Sequence, residues 1–263
     1  MGEVLGNQIP EITAVTVAEW TDRLEEVLRS AAIPCDTGTA RGLSVYHRLL
    51  TQWNSFMNLT GDTDFELSIT RHYLDSLMPL RLDGLFPKGA TLIDVGTGAG
   101  FPGLPLAIAR PDMKVTLMDA LSKRLKFLAA VVEELGLDNV QLVHARAEDG
   151  GKNPLYREKF DISLARGVAA MPVLSELLIP FAKQGGKVLC YKGPAAGEEW
   201  SAGEKAARIL GGGRFLRHEV EIPGQPEWEH CIIEIPKVSP TPAQNPRKAG
   251  TPEKKPLGFS ANC

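Results

Sequence analysis

The period of the hydrophobic positions changes along the chain and divides it into three segments. In the first, residues 1–87, Val17, Trp20, Leu24, Val27, Leu28 and Ala31 recur at steps of three and four. That spacing lays one apolar stripe along a helix. Leu43, Tyr46, Leu49, Leu50, Trp53 and Phe56 repeat it in a second helix, which carries Gly42 and ends near the turn signal Asn58-Leu59-Thr60-Gly61. A third helical stretch covers 65–80. The segment reads as a small N-terminal helical region.

In the second segment, 88–236, short runs rich in Val, Ile and Leu alternate with helical patterns. The runs lie at 91–95, 115–119, 140–144, 161–164 and 187–191. Helical patterns at 103–110, 123–135 and 171–183 separate them, with a short polar stretch at 148–157. Continuous apolar strands joined by helices make βαβ units and a parallel sheet covered on both faces. A further helix-like segment follows residue 191, then strand-like runs at 215–222 and 231–235. The loop between those two (Pro223-Gly224-Gln225-Pro226-Glu227) is short enough for an antiparallel hairpin. The expected class is α/β, Rossmann-like, with a seven-stranded, mostly parallel sheet that ends in that hairpin.

The third segment, 237–263, holds five prolines and almost no large apolar residue before Leu257. Its five basic residues (Lys237, Arg247, Lys248, Lys254, Lys255) and one acid (Glu253) give it +4, so the remainder carries −7 of a total of −3. The mild acidity excludes binding of nucleic acid by bulk charge, but the split allows a local basic patch with a modest salt dependence. Hydrophobic residues at 43% and charged residues at 23% suit a soluble globular protein, and 263 residues hold one large domain or a domain with an appendage. No apolar run approaches the roughly 20 residues of a membrane helix, and Met1 to Pro10 has neither part of a signal peptide. A cytoplasmic monomer is the expectation. Cys35, Cys190, Cys231 and Cys263 lie far apart without zinc-ligand spacing, so no metal site is expected. Cys190 and Cys231, inside strand-like runs, read as buried thiols.

Candidate chemistry centres on Ile93-Asp94-Val95-Gly96-Thr97-Gly98-Ala99-Gly100-Phe101-Pro102-Gly103, directly after the first strand. Glycines there allow a tight turn and let a ligand approach backbone N–H groups. Gly98, Gly100 and Gly103 match the dinucleotide pattern GxGxxG, but the turn starts two residues earlier, at Gly96, and Pro102 removes a helix-start donor. The tighter Asp-Val-Gly-x-Gly-x-Gly is similar to motif I of class I methyltransferases, which bind S-adenosylmethionine (AdoMet). Asp119, 21 residues beyond Gly98 at the end of the second strand, is placed to accept ribose hydroxyls. Ala147-Glu148 follows the third strand, where adenine would lie. Each acid alone also reads as a solvated loop residue.

More of the chain resembles one family, the RsmG (GidB) small-subunit rRNA guanine-N7 methyltransferases. The resemblance rests on Asn58-Leu59-Thr60, Arg71-His72-Tyr73-Leu74-Asp75-Ser76-Leu77, the loop 94–103 with its Phe-Pro-Gly ending, and Lys123-Arg124 with Phe127-Leu128. It extends to Ala147-Glu148, Ala165-Arg166-Gly167-Val168-Ala169, Lys192-Gly193 and Pro246-Arg247-Lys248-Ala249-Gly250-Thr251-Pro252. It implies methylation of N7 of one guanine in the 16S rRNA loop beside the decoding site of the 30S subunit. By the same resemblance Gly96, Phe101, Ala147, Glu148 and Arg166 contact AdoMet. The family more often has Ser-Arg-Ala at 165–167, and residues 258–263 extend past its usual end without an assigned role.

Guanine N7 carries a lone pair and no proton, so transfer to it requires no general base, and positioning is the main demand. Correspondingly, no Asn/Asp-Pro-Pro-Tyr/Phe motif for exocyclic amines is present, nor a Pro-Cys nucleophile for pyrimidine C5. No catalytic residue is assigned, with Arg166 and Lys192 as candidates. Arg166 reads as a binder of the AdoMet carboxylate or an RNA phosphate, or else as a structural ion pair. Arg71, His72, Lys123, Arg124, Lys192, Arg247, Lys248 and Lys255 are the candidate RNA contacts. His72 reads equally as a helix-edge residue, the Lys123 cluster as a solvated face and the tail as a disordered end. N7 is poorly reached in stacked A-form RNA, so the target should be unpaired or splayed out.

Overall fold

Thr13 opens the first helix, its hydroxyl accepting the N–H of Thr16 at 3.3 Å. That helix, α1 (Ala14–Ser30), buries Leu24 and Leu28, and α2 (Thr37–Met57) buries Leu43, Tyr46 and Leu50. Each such leucine contributes about 2 kcal/mol through burial. The computed structural model describes residues 13–33, 37–225 and 227–259. The stretch Met1 to Pro10, Cys35, Pro226, Cys263 and the rest of 260–263 lie outside the described residues.

The third helical stretch departs from the expected single helix. It consists of α3 (Phe65–Ser68), a wide π-type turn at Ile69–Leu74, α4 (Asp75–Leu77) and a 3-10 turn at Met78–Arg81 that contains Pro79. Such wide turns recur where side chains are aimed at a site, and this one carries Arg71 and His72.

Seven strands form one sheet: β1 (Thr91–Val95), β2 (Lys114–Asp119), β3 (Val140–His144), β4 (Phe160–Arg166), β5 (Ala182–Lys192), β6 (Leu216–Val220) and β7 (His230–Pro236). Their order is β3-β2-β1-β4-β5-β7-β6, with β1 to β5 parallel and β7 antiparallel to both β5 and β6. Alternate strand residues serve opposite faces. Leu92, Val115 and Leu117 meet α5 (Gly103–Ala109), α6 (Ser122–Leu135) and the N-terminal helices on one side. Ile93, Val95, Val188 and Ile233 meet α8 (Met171–Leu178) and α9 (Trp200–Ile209) on the other. The order reverses between β1 and β4, and a crevice at such a point is the usual ligand site of open α/β sheets.

The boundaries differ most around Pro180. The expected helix over 171–183 ends at Leu178, a 3-10 turn covers Ile179–Phe181, and β5 begins at Ala182. Proline offers no N–H to the helix and clashes with the preceding turn. The polar stretch after β3 is the short helix α7 (Ala147–Gly150) followed by turns. Cys190 and Cys231 are buried free thiols, and burial pushes that of Cys190 up to about 12.

The final segment is folded against the body. Lys237 buries its ammonium group, which donates to the Ile179 carbonyl (3.3 Å) and meets Glu158 at 3.0 Å. Arg157 donates to the carbonyls of Thr241 and Asn245, each at 2.7 Å. A short helix, α10 (Thr251–Lys254), follows. No described helix is long and apolar enough to cross a membrane.

Candidate functional site

The loop after β1 is shaped from behind by Asp94. Its buried Oδ2 accepts the Thr97 hydroxyl (2.8 Å) and the Gly103 N–H (2.9 Å), while Oδ1 has no partner. Burial pushes this carboxyl up to about 7 against the pull of those two bonds. A Cβ on Gly103 would lie 2.5 Å from Leu117 Cδ2, so only glycine lets α5 start this close to the sheet. Gly100 is likewise a packing position, where a Cβ would sit 2.9 Å from Leu128 Cδ2. Gly96 and Gly98 instead form cavity wall. From α2, the Tyr46 hydroxyl donates to the Ala99 carbonyl at 2.5 Å and braces the loop.

The cavity, about 490 Å³, opens at the carboxyl ends of β1, β2 and β4. Its volume lies within the usual range for a small ligand, about 300–1,000 Å³. The 95–99 loop forms one wall, Ala145, Ala147, Leu174 and Leu178 an apolar one, and Thr60, His72, Phe101 and Arg166 another. Asp119 reaches it from the end of β2; its carboxylate accepts N–H groups from Gly98 (3.0 Å) and Leu121 (2.8 Å) and pairs with Arg124 (3.3 Å). A Cβ at Gly98 would meet no protein atom closer than 4.0 Å, although φ there is +62°. Backbone is thus laid bare toward a cofactor-sized space beside a carboxylate. Gly96, Gly98, Asp119 and the apolar wall fit AdoMet, as a close-approach surface, an acceptor for hydroxyls and a slot for adenine respectively. Asp94 and Gly100 build the loop without lining the cavity. Glu148 is turned away, its Oε1 accepting the Gly250 N–H at 2.8 Å, so Ala147 alone of that pair reaches the wall.

Arg166 ends β4 and enters a junction of three chain regions. It donates to Asp75 Oδ2 (2.7 Å) and to the Arg71 carbonyl (3.0 Å), and lies 5.1 Å from the centre of the Phe101 ring. Asp75 Oδ1 pairs with His230 Nδ1 at 2.7 Å. Burial alone would raise the Asp75 carboxyl, but His230 and Arg166 together hold it below the usual carboxylate range. His72 stacks on Phe101 at 4.5 Å, with its Nδ1 3.4 Å from an Arg166 nitrogen and its Nε2 3.3 Å from the Thr60 hydroxyl. A guanidinium can only donate, so Nδ1 accepts and the ring proton belongs on Nε2. Burial and the Arg166 charge lower its pKa to about 4, which keeps the imidazole neutral.

The family described as rRNA small subunit methyltransferase G (GidB) matches residues 39–220. Curated relatives bear the name ribosomal RNA small subunit methyltransferase G. One from Lactobacillus delbrueckii subsp. bulgaricus is 44% identical over 94% of this chain and 99% of its own. One from Clostridium perfringens is 42% identical over 91% and 99%. The chain belongs to this family. Its fold also matches a chain from the complex of the Haloferax volcanii Trm112 methyltransferase activator with a methyltransferase, at a TM-score of 0.50 and 14% identity over 72% of this chain and 97% of that one.

Not every candidate site residue of the sequence gathers at the cavity. Arg124, Phe101, His72 and Arg166 line it, and Arg71 and Lys123 are exposed nearby in sequence. Lys192 is tied to Glu199 (2.8 Å) and to the Ala169 carbonyl (3.3 Å), which anchors the loop after β4. Arg247 is committed to buried Glu176 at 2.6 Å, whereas Lys248 and Lys255 are exposed. Sequence reasoning missed the roles of His230, Glu199 and Glu176. A lone histidine or glutamate carries no spacing signal, and only their distant partners give them meaning. Among the described residues no cluster of three or more His, Cys, Asp or Glu side chains can hold a metal ion.

Proposed function

We propose that this GidB-family protein methylates N7 of a single guanine in 16S rRNA, in the loop beside the decoding site of the small ribosomal subunit. It does so as a cytoplasmic monomer. AdoMet, when bound, supplies an electrophilic methyl group on a sulfonium centre. The chain's own residues bind, orient and avoid opposing charge. Gly96 and Gly98 admit the ligand against the backbone, and Asp119 offers a carboxylate to hydroxyls.

Positive charge passes to the base during this transfer, so an uncompensated cation at the cavity would oppose it. Two features avoid that penalty. His72 is kept neutral by burial, and Arg166 is balanced by Asp75 at 2.7 Å. Thr60, His72 and Arg166 make the polar wall that suits the edge of a purine. No proton must be removed from N7, so that wall has only to hold the guanine in line.

The observation that carries this reading is the glycine-walled cavity with Asp119 at its rim, in a chain of this family. Mass mapping of 16S rRNA from cells with and without the gene tests it. Loss of one 7-methylguanine without the gene is expected; an unchanged modification map would refute it.

A further inference from the structure

The helices that wall the cavity are gripped on their other side by the C-terminal segment. Ala147 lines the cavity and its neighbour Glu148 accepts the Gly250 N–H at 2.8 Å. Leu177 lines the cavity and its neighbour Glu176, fully buried, receives four donors from the segment. These are Asn245 Nδ2 (3.1 Å), the Arg247 backbone N–H (2.7 Å), Arg247 Nε (2.9 Å) and Arg247 Nη2 (2.6 Å). Pro246 presses on the end of α7, where a Cβ on Gly151 would lie 3.0 Å from its ring. Leu257 packs into the apolar cluster beneath α8 and α9.

We propose that residues 237–259 form a strap that fixes the apolar wall of the cofactor cavity, with Arg247 and the Gly250 amide as positioning groups for AdoMet binding. The inference rests on the AdoMet reading of that cavity. A buried glutamate demands a partner, and Arg247 supplies a forked one that also joins α8 to the strap. The positive charge of the segment therefore has two uses. Lys237 and Arg247 are consumed inside by Glu158 and Glu176, while Lys248, Lys254 and Lys255 are exposed.

Titration calorimetry with AdoMet on the full chain, beside methyl-transfer kinetics on 30S subunits, tests this. Arg247→Ala should weaken AdoMet binding about tenfold, the lower end of the loss seen at metal sites when a group that orients the ligands from behind is removed. Arg247→Lys should restore part of it, the KM for 30S subunits should stay constant at saturating AdoMet, and Lys254→Ala should leave AdoMet affinity unchanged. A folded Arg247→Ala protein with unchanged AdoMet affinity overturns the proposal, as does a raised KM for subunits alone. If Arg247→Ala melts out, Glu176→Gln and Arg247→Lys decide: native-like melting with weakened AdoMet binding supports the strap, and unchanged affinity in both refutes it. Wild-type protein that binds no AdoMet sinks the cofactor reading itself, whereas wild-type binding with unaltered variants sinks only the strap.

Discussion

Asp75→Asn removes one charge from the junction behind the cavity and keeps the side chain's shape. The carboxylate it replaces holds Arg166 and His230 at 2.7 Å each. The paired side chains are only 19% (Arg166) and 9% (Asp75) exposed. Removing one partner of a fully buried pair costs about 3–5 kcal/mol. Arg166 keeps its bond to the Arg71 carbonyl and some solvent, which reduces the expected cost to about 2–3 kcal/mol. For a chain of this size that lowers Tm by about 5–10 °C. The assay is urea denaturation at pH 7 of Asp75→Asn, Arg166→Gln and the double variant. A coupling of about 1.5–2.5 kcal/mol is expected, and additivity within about 0.5 kcal/mol would refute the pairing. The pH dependence supplies a second check. A carboxyl held below its ordinary pKa contributes stability above the ordinary range and loses it as pH falls through the folded value. The difference between wild type and Asp75→Asn should therefore shrink as the solution is acidified.

Gly98→Val should abolish detectable AdoMet binding in calorimetry and cost about 1–2 kcal/mol of stability, because φ is +62° there and the side chain enters the cavity. Native-like AdoMet affinity would contradict the cavity assignment. His47, buried in α2, has its pKa lowered by burial to about 4, so its contribution is complete above about 6.5 and is lost as pH falls toward 4. His47→Gln should flatten that loss in urea midpoints taken between pH 7.5 and 4. Asp94, raised to about 7, acts with the opposite sign: its contribution falls as pH rises from about 4 through 7, and Asp94→Asn should remove that slope. Lys123→Ala with Lys248→Ala and Lys255→Ala should raise the KM for 30S subunits and reduce its salt dependence, with AdoMet affinity unchanged in calorimetry.

The sheet is legible in the sequence because buried parallel strands are apolar runs, and all seven expected positions carry strands. The glycine loop and Asp119 are legible because their spacing is that of one helix and one strand. Failures follow from interactions that periodicity does not encode. Pro180 stops a helix whose apolar pattern continues beyond it. The wide turn at Ile69–Leu74 keeps helical composition, and from it His72 lines the cavity. Asp75 meets His230 across 155 residues and Arg247 meets Glu176 across 71. Arg247 reads with Lys248 and Lys255 as an RNA contact, yet it finds the buried Glu176, and Lys237 turns its ammonium inward to the half-buried Glu158. Glu148 sits at the expected sequence position but is buried away from the cavity, where its carboxylate accepts the Gly250 N–H.

Incubation of the purified chain with methyl-labelled AdoMet and 30S subunits that lack the modification tests site and reaction together. Nuclease digestion of the recovered 16S rRNA should place the label in 7-methylguanine at a single position, near one methyl per subunit. Label at another atom, at many guanines or only in ribosomal protein would contradict guanine-N7 transfer by this cavity.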